Sequence, residues 1–115
     1  MSRELPEDGI CPVATTIQLL SSKWKILILR DLLDGTCRYS DLRRSVKGIS
    51  QKMLTQSLRE MEADGLVDRK AYPEVPPRVE YSLSKLGNSM RPIIKVMRKW
   101  GNDYLEEYPE KRKAV

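Results

Sequence analysis

The chain has no histidine among its 115 residues. That removes the usual general base, the histidine-containing catalytic triads and every histidine-ligated metal site. Its two cysteines are too few for an all-cysteine zinc centre. No GxxxxGKS/T or GxGxxG run occurs, so the glycine loops that cradle phosphates in nucleotide enzymes are missing. The acidic residues show no ligand-like spacing, and neither a metal nor an organic cofactor is expected. The longest unbroken apolar run, Ile26 to Leu29, is far below the roughly 20 residues of a membrane helix, so no membrane partner is expected. The first ten residues set Glu4, Glu7 and Asp8 against Arg3 with no apolar stretch. No secretory leader is read there, and a cytoplasmic location is expected. These absences point away from an enzyme.

What is present suits one folded domain. Hydrophobic residues make up 40% and charged residues 32% of the chain, enough for a modest core within a length typical of a single domain. The expected organisation is a polar arm at 1–11, a domain at 12–108 and a basic tail at 109–115. Basic residues number 21 and acidic residues 16, for a net charge of +5. Between Arg38 and Arg59, six basic residues (Arg38, Arg43, Arg44, Lys47, Lys52 and Arg59) are opposed only by Asp41, a surplus equal to that of the whole chain. Such a stripe fits phosphate neutralisation, although a solvated mixed surface has the same composition.

The pattern predicts mainly helix with a small hairpin. Pro12 suits a first helical turn, giving a helix over 12–21. Trp24 to Leu33 is apolar on nearly all faces and reads as a central buried helix closed at Asp34-Gly35. Cys37 to Tyr39 is long enough for one short strand pairing, and Ser40 is expected to cap a brief helix through Val46, stopped by Gly48. Ser50 then caps a helix over 50–64, with Ile49 placed to staple against Leu54. Its inner face repeats Leu54, Leu58 and Met61, and its outer face carries Gln51, Lys52, Thr55, Gln56 and Arg59. Gly65 and Leu66 form a Schellman ending. Leu66–Ala71 and Val79–Leu83 read as strands around a loop stiffened by Pro73, Pro76 and Pro77. From Ser84 a helical tract begins, restarted or kinked at Pro92 and running to about residue 108.

A brief helix joined through Lys47-Gly48-Ile49 to a polar-faced second helix is a helix-turn-helix, and the hairpin behind it is a wing. A lone helix fits the roughly 12 Å major groove of B-DNA, where Gln, Arg, Lys and Thr can reach base edges. Candidate DNA contacts are therefore Arg38, Ser40, Lys47, Ser50, Gln51, Lys52, Thr55, Gln56 and Arg59, with Pro76, Pro77 and Arg78 from the wing. Arg59, Lys52 and Arg78 are expected to meet phosphate or guanine, and Gln51, Thr55 and Gln56 base edges.

In these segments the chain resembles the HxlR-type transcriptional regulators, relatives of the MarR group with a winged helix-turn-helix fold. The resemblance covers about residues 10 to 105. It runs through Cys11-Pro12-Val13, Lys23-Trp24, Ile26 to Leu32 and Arg38-Tyr39-Ser40-Asp41-Leu42. It continues through Gly48 to Thr55, Leu58 to Val67 and Tyr72 to Tyr81. It implies a homodimeric regulator binding double-stranded DNA, with the helix from Ser50 in the major groove and the Pro76-Pro77-Arg78 wing near the backbone or minor groove. Repression by blocking polymerase is the expected mode.

The dimer also has support in the residues. Ile93, Ile94, Met97, Trp100 and Tyr104 form an apolar stripe that a two-fold partner would cover together with Ile17 and Leu20 of the first helix, unless these residues close the protomer's own core. Cys11 matches the cysteine with which some HxlR-type proteins sense electrophiles or oxidants, so a thiol switch, or a small-molecule inducer, is one expectation for the chain. Packing against the first helix is the other. Cys37 reads as structural. Two rival functions stand beside the regulator: a winged-helix protein-interaction module without DNA binding, and a cysteine-dependent enzyme at Cys11-Pro12 using Lys23 as base.

Overall fold

A computed structural model describes residues 8–113. Residues 1–7 of the expected arm, and 114 and 115 of the tail, lie outside the described residues. The elements in order are α1 (Pro12–Leu19), α2 (Lys23–Leu32), β1 (Cys37–Arg38), α3 (Tyr39–Ser45), α4 (Gln51–Ala63), β2 (Val67–Tyr72), β3 (Arg78–Leu83), α5 (Lys85–Asn88) and α6 (Arg91–Glu107), then a 3-10 turn at Pro109–Lys111. The fold is mainly helical with a three-stranded antiparallel sheet in the order β1-β3-β2, the winged helix-turn-helix that the element order implied. No helix among the described residues is long and apolar enough to cross a membrane.

The core gathers what α2 buries on nearly every turn, Ile28, Leu29 and Leu32, with Leu42 and Val46 of the α3 region. Leu54, Leu58 and Met61 of α4, then Leu66, Val67 and Tyr81 of the sheet, complete it. Full burial of each such side chain stabilises the fold by about 1.5–3 kcal/mol. Ile49 and Leu54, the expected staple pair, are both buried there.

Local chemistry sets the boundaries. Helix α1 stops two residues short of expectation, because Leu20 leaves helical geometry and Ser22 opens α2 by accepting the Lys25 N–H at 3.4 Å. Helix α3 begins at Tyr39, and Ser40 is not its cap. Asp41 reaches back instead to accept the Arg38 N–H at 3.0 Å, leaving Ser40 exposed inside the first turn. Pro92 occupies the first turn of α6, where a missing N–H costs nothing, so the tract restarts there. The hairpin pairs Val67 with Leu83 through to Tyr72 with Arg78, one residue beyond each expected strand end, before the prolines stop it.

The end of α4 and the start of α5 are tied in one knot. The Leu66 N–H reaches the Met61 carbonyl at 2.9 Å and the Gly65 N–H reaches Glu62 at 3.0 Å, a Schellman closure that needs Gly65 at φ +79°. The Ser84 N–H donates to the Leu66 carbonyl at 3.0 Å, and its hydroxyl donates to the Gly65 carbonyl at 2.6 Å while accepting from the Gly87 N–H at 3.0 Å. Gly87 packs so closely on this knot that a Cβ there would collide with the Leu66 carbonyl oxygen and press on Leu83. Gly87→Ala should therefore lower unfolding free energy by about 2 kcal/mol, the scale of overpacking against an unyielding neighbour, read as an earlier midpoint in urea. An unchanged midpoint would show that α5 can shift.

Candidate nucleic-acid interface

The candidate reading face is built on α4, and its start is fixed locally. Ser50 accepts the Met53 N–H at 3.1 Å, as its sequence position required. With Leu54, Leu58 and Met61 turned into the core, Gln51, Lys52, Gln56 and Arg59 are left exposed. These four, with Thr55 and Glu60, line a shallow concavity of about 720 Å³. Thr55 is half-buried rather than fully outward. Its hydroxyl lies 2.9 Å from the Tyr39 hydroxyl, which also donates to the Gln51 carbonyl at 3.1 Å. Tyr39 thus locks α3 to the first turn of α4, a role the sequence reading did not assign.

A second tie comes from α2. Lys25 is buried in the first turn of α2, its side chain only 5% exposed, and its ammonium sits 2.7 Å from Glu60 Oε2 on α4, with Ser21 Oγ at 3.4 Å. The other carboxylate oxygen, Oε1, accepts from Gln56 Nε2 at 3.1 Å. Hydrogen bonds from Lys25 and then Gln56, with the Lys25 charge, hold the Glu60 carboxyl below its ordinary value. An apolar-looking helix interrupted by one lysine was the available signal, and it was not read.

The wing approaches the start of α3. Arg38, Tyr39 and Ser40 face Glu74 to Val79 across a groove of about 430 Å³, so Arg38, Ser40, Pro76, Pro77 and Arg78 come together in space. Arg78 is folded across onto the facing strand β2 and the wing loop. Its guanidinium lies 3.9 Å from the Tyr72 ring centre and 3.0 Å from Glu74, with Lys70 on the same ring at 4.9 Å. Much of its charge is therefore answered within the wing. Lys47 is exposed in the turn, apart from both grooves, and the Ser50 hydroxyl is engaged as a cap. Among the cations of the stripe, Arg44 pairs with Asp41 at 2.7 Å.

The expected dimer residues divide. Leu20 and Ile94 are buried in the protomer's own core at 8% and 5% exposure and so are corrected from interface to core. Leu20 follows the last residue of α1 and Ile94 lies in the first turn of α6, and both join the buried apolar cluster. Ile17, Ile93, Met97, Trp100 and Tyr104 are exposed, as are Val13 and Val96, and α1 buries no side chain at all. Both cysteines are free and half-buried. Burial, then the carboxylates of Asp31, Asp41 and Asp34, push the Cys37 thiol up and keep it protonated. Cys11 opens α1, and Lys23, considered as its base, instead lies over the Trp24 ring at 4.4 Å.

The family model for the HxlR-like helix-turn-helix matches residues 19–109. The chain belongs to the HxlR-like helix-turn-helix family. It is 45% identical over 106 residues to the HTH-type transcriptional regulator YybR of Bacillus subtilis, spanning 90% of this chain and 85% of that one. Its fold is similar to that of a candidate MarR-family transcriptional regulator from Porphyromonas gingivalis W83, with TM-score 0.80, 42% identity and coverage of 86% and 96%. It is also similar to the redox regulator HypR in its oxidized form, with TM-score 0.76, 41% identity and coverage of 91% and 100%.

In this HxlR-like chain the Lys25–Glu60 pair has a pH signature. Glu60 holds its proton less tightly folded than unfolded, so the unfolded chain binds more protons and stability rises with pH through the carboxylate range. At neutral pH the parent should be more stable than Glu60→Gln. The gap should close as pH falls through and below about 4, where the unfolded carboxyl titrates. Urea midpoints across that range check it. A gap that persists in acid would assign the difference to packing.

Proposed function

We propose that this HxlR-like protein is a sequence-specific, DNA-binding transcriptional regulator acting as a homodimer in the cytoplasm, a repressor that occludes polymerase rather than an enzyme. The observation that carries the reading is the exposed polar and cationic face of α4. It is held by Ser50, Tyr39 and Lys25 in one orientation beside a wing that meets Arg38 and Ser40. Gln51, Gln56 and the accessible side of Thr55 suit base edges, while Arg38, Lys47, Lys52 and Arg59 suit phosphates. Arg78, answered by Glu74, serves chiefly to shape the wing with Pro76 and Pro77.

The homodimer is supported by the exposed apolar residues of α1 and α6, a face that a small domain does not ordinarily leave to water. A two-fold partner would place two α4 helices about 34 Å apart on a roughly palindromic site. A thiol response at Cys11, to an oxidant or electrophile, is supported by the likeness to the redox regulator HypR.

Fluorescence anisotropy against duplex from upstream of the protein's own gene, and against a scrambled duplex, tests the reading across salt. Specific binding with a log-log salt slope steeper than about −4 is expected for paired cationic faces. Trp100→Glu should sediment as a monomer and bind the specific duplex at least about tenfold more weakly, since one half-site must then hold alone. No binding at low salt would overturn the DNA reading in favour of a protein-interaction module. For the thiol response, diamide should weaken binding by the parent and by Cys37→Ser but not by Cys11→Ser, and equal loss in all three would end it.

A further inference from the structure

Gln56 is not an isolated surface glutamine. An exposed glutamine ordinarily presents either end of its amide, because the oxygen and the nitrogen exchange places by a half-turn of the last torsion. Here the side chain four residues on, one helical turn along the same face, is Glu60. A carboxylate only accepts, so the end of Gln56 that meets Glu60 Oε1 at 3.1 Å has to be the NH2. Glu60 in turn is not a loose partner. Its other oxygen is 2.7 Å from the ammonium of Lys25, whose side chain is 5% exposed. Among the described residues only Ser21 Oγ offers that ammonium a further contact. A surface carboxylate would swing readily into water, but Glu60 cannot leave without stranding the buried Lys25 ammonium uncompensated, so its Oε1 stays in place to receive the Gln56 NH2.

We propose that Lys25 and Glu60 are positioning residues for base recognition: they hold the Gln56 amide with its oxygen toward the groove and so set a sequence preference without touching DNA. The inference rests on α4 facing DNA as proposed above and adds which bases it favours. An outward amide oxygen accepts from the exocyclic amino groups on the major-groove edge, adenine N6 or cytosine N4. The second Gln56 N–H remains free to donate to adenine N7, while guanine and thymine set an acceptor against the oxygen. The negative Glu60 beside it adds to the same bias against the guanine edge. Adenine is the expected base at the position Gln56 reaches, with cytosine next.

Selection from a pool of duplexes with a randomised core, sequenced for the parent and four variants, tests this. The parent should enrich adenine at one position per half-site by about tenfold over guanine, the scale of one good base contact. Gln56→Ala should lose the preference at that position alone. Glu60→Gln, which can donate as well as accept and so lets the Gln56 amide turn over, should flatten the same position to about threefold or less. Preferences elsewhere in the site and the salt slope should not change, which a general loosening of α4 would not allow. Lys25→Met should do the same by freeing Glu60. Because Glu60→Gln leaves a buried ammonium unpaired, the double variant Lys25→Met/Glu60→Gln removes both charges and keeps the measurement possible if the single variant fails to fold. Folded Glu60→Gln and double variants that keep the parent's preference at the Gln56 position would overturn the inference while leaving the DNA reading intact. So would a Gln56→Ala profile identical to the parent's. A parent that enriches no sequence would overturn both.

Discussion

A single buried cation determines where α4 can lie. Lys25 stands on a helix whose neighbours Ile28, Leu29 and Leu32 are all in the core. Its ammonium has to find a counter-charge within the reach of one side chain. Glu60 is that charge, and it belongs to the helix that carries the polar and cationic face. Close packing of Leu54, Leu58 and Met61 already seats α4 on the core. The ion pair at 2.7 Å adds a directional constraint on its roll. A hydrophobic pair of similar volume could serve stability as well, and the gain from charge here is direction rather than strength. Tyr39 constrains the other side of the same helix through the Gln51 carbonyl and the Thr55 hydroxyl. With an anchor from α2 and another from α3, the outward residues of α4 are presented as a set.

The far end of α4 is constrained by backbone rather than charge. The carbonyls of Gly65 and Leu66 both accept from Ser84 at the start of α5, and Gly87 closes over them. Arg91, in the first turn of α6, donates to the Leu33 carbonyl at the end of α2 at 3.2 Å. The C-terminal helices are thus bonded to the ends of both helices that bear on the reading face. Positional information passes through these hydrogen bonds, with Asn88 Oδ1 also accepting from Arg91 at 3.3 Å and so holding its guanidinium in place.

Much of this was legible in the sequence because it depends on local periodicity and caps. The i, i+4, i+7 repeat of Leu54, Leu58 and Met61 with Ser50 before it and Gly65 after it defined α4 almost to the residue, and the Schellman contact at Leu66 followed. Likewise the prolines of the wing stopped the strands near where expected. What escaped were interactions between residues distant in sequence. Lys25 and Glu60 are 35 positions apart, and although Lys25 interrupts an apolar run, nothing local names its partner. Ser40 was assigned a cap that its neighbour Asp41 supplies, since both residue types serve and only geometry chooses. For Arg78, expected to meet phosphate or guanine, neither its stack on Tyr72 nor its pair with Glu74 is written in a single-residue propensity. Leu20 and Ile94 were placed with the exposed stripe because a helical repeat cannot tell the edge that meets the protomer from the edge that faces away.

That last distinction bears on how the molecule works. After Ile94, α6 buries no further side chain, yet it carries Met97, Trp100 and Tyr104, with Tyr108 just past its end and the aromatic rings following one another at 5.5 and 5.1 Å. The shape reflects it: a radius of gyration of 16.6 Å exceeds the roughly 13 Å of a compact chain of about this size. An apolar helix held away from its own core is unfavourable in water unless something covers it. The cationic stripe from Arg38 to Arg59, in contrast, lies on β1, α3, α4 and the turn between those two helices, so the surface that would join two copies and the surface that would meet phosphates use different elements. They are not mechanically independent. Reorienting α6 against the protomer would pull on Arg91 and Ser84, and through them on the ends of α2 and α4. In the proposed dimer, a change in how two copies pack would thereby change the spacing and tilt of the two α4 helices.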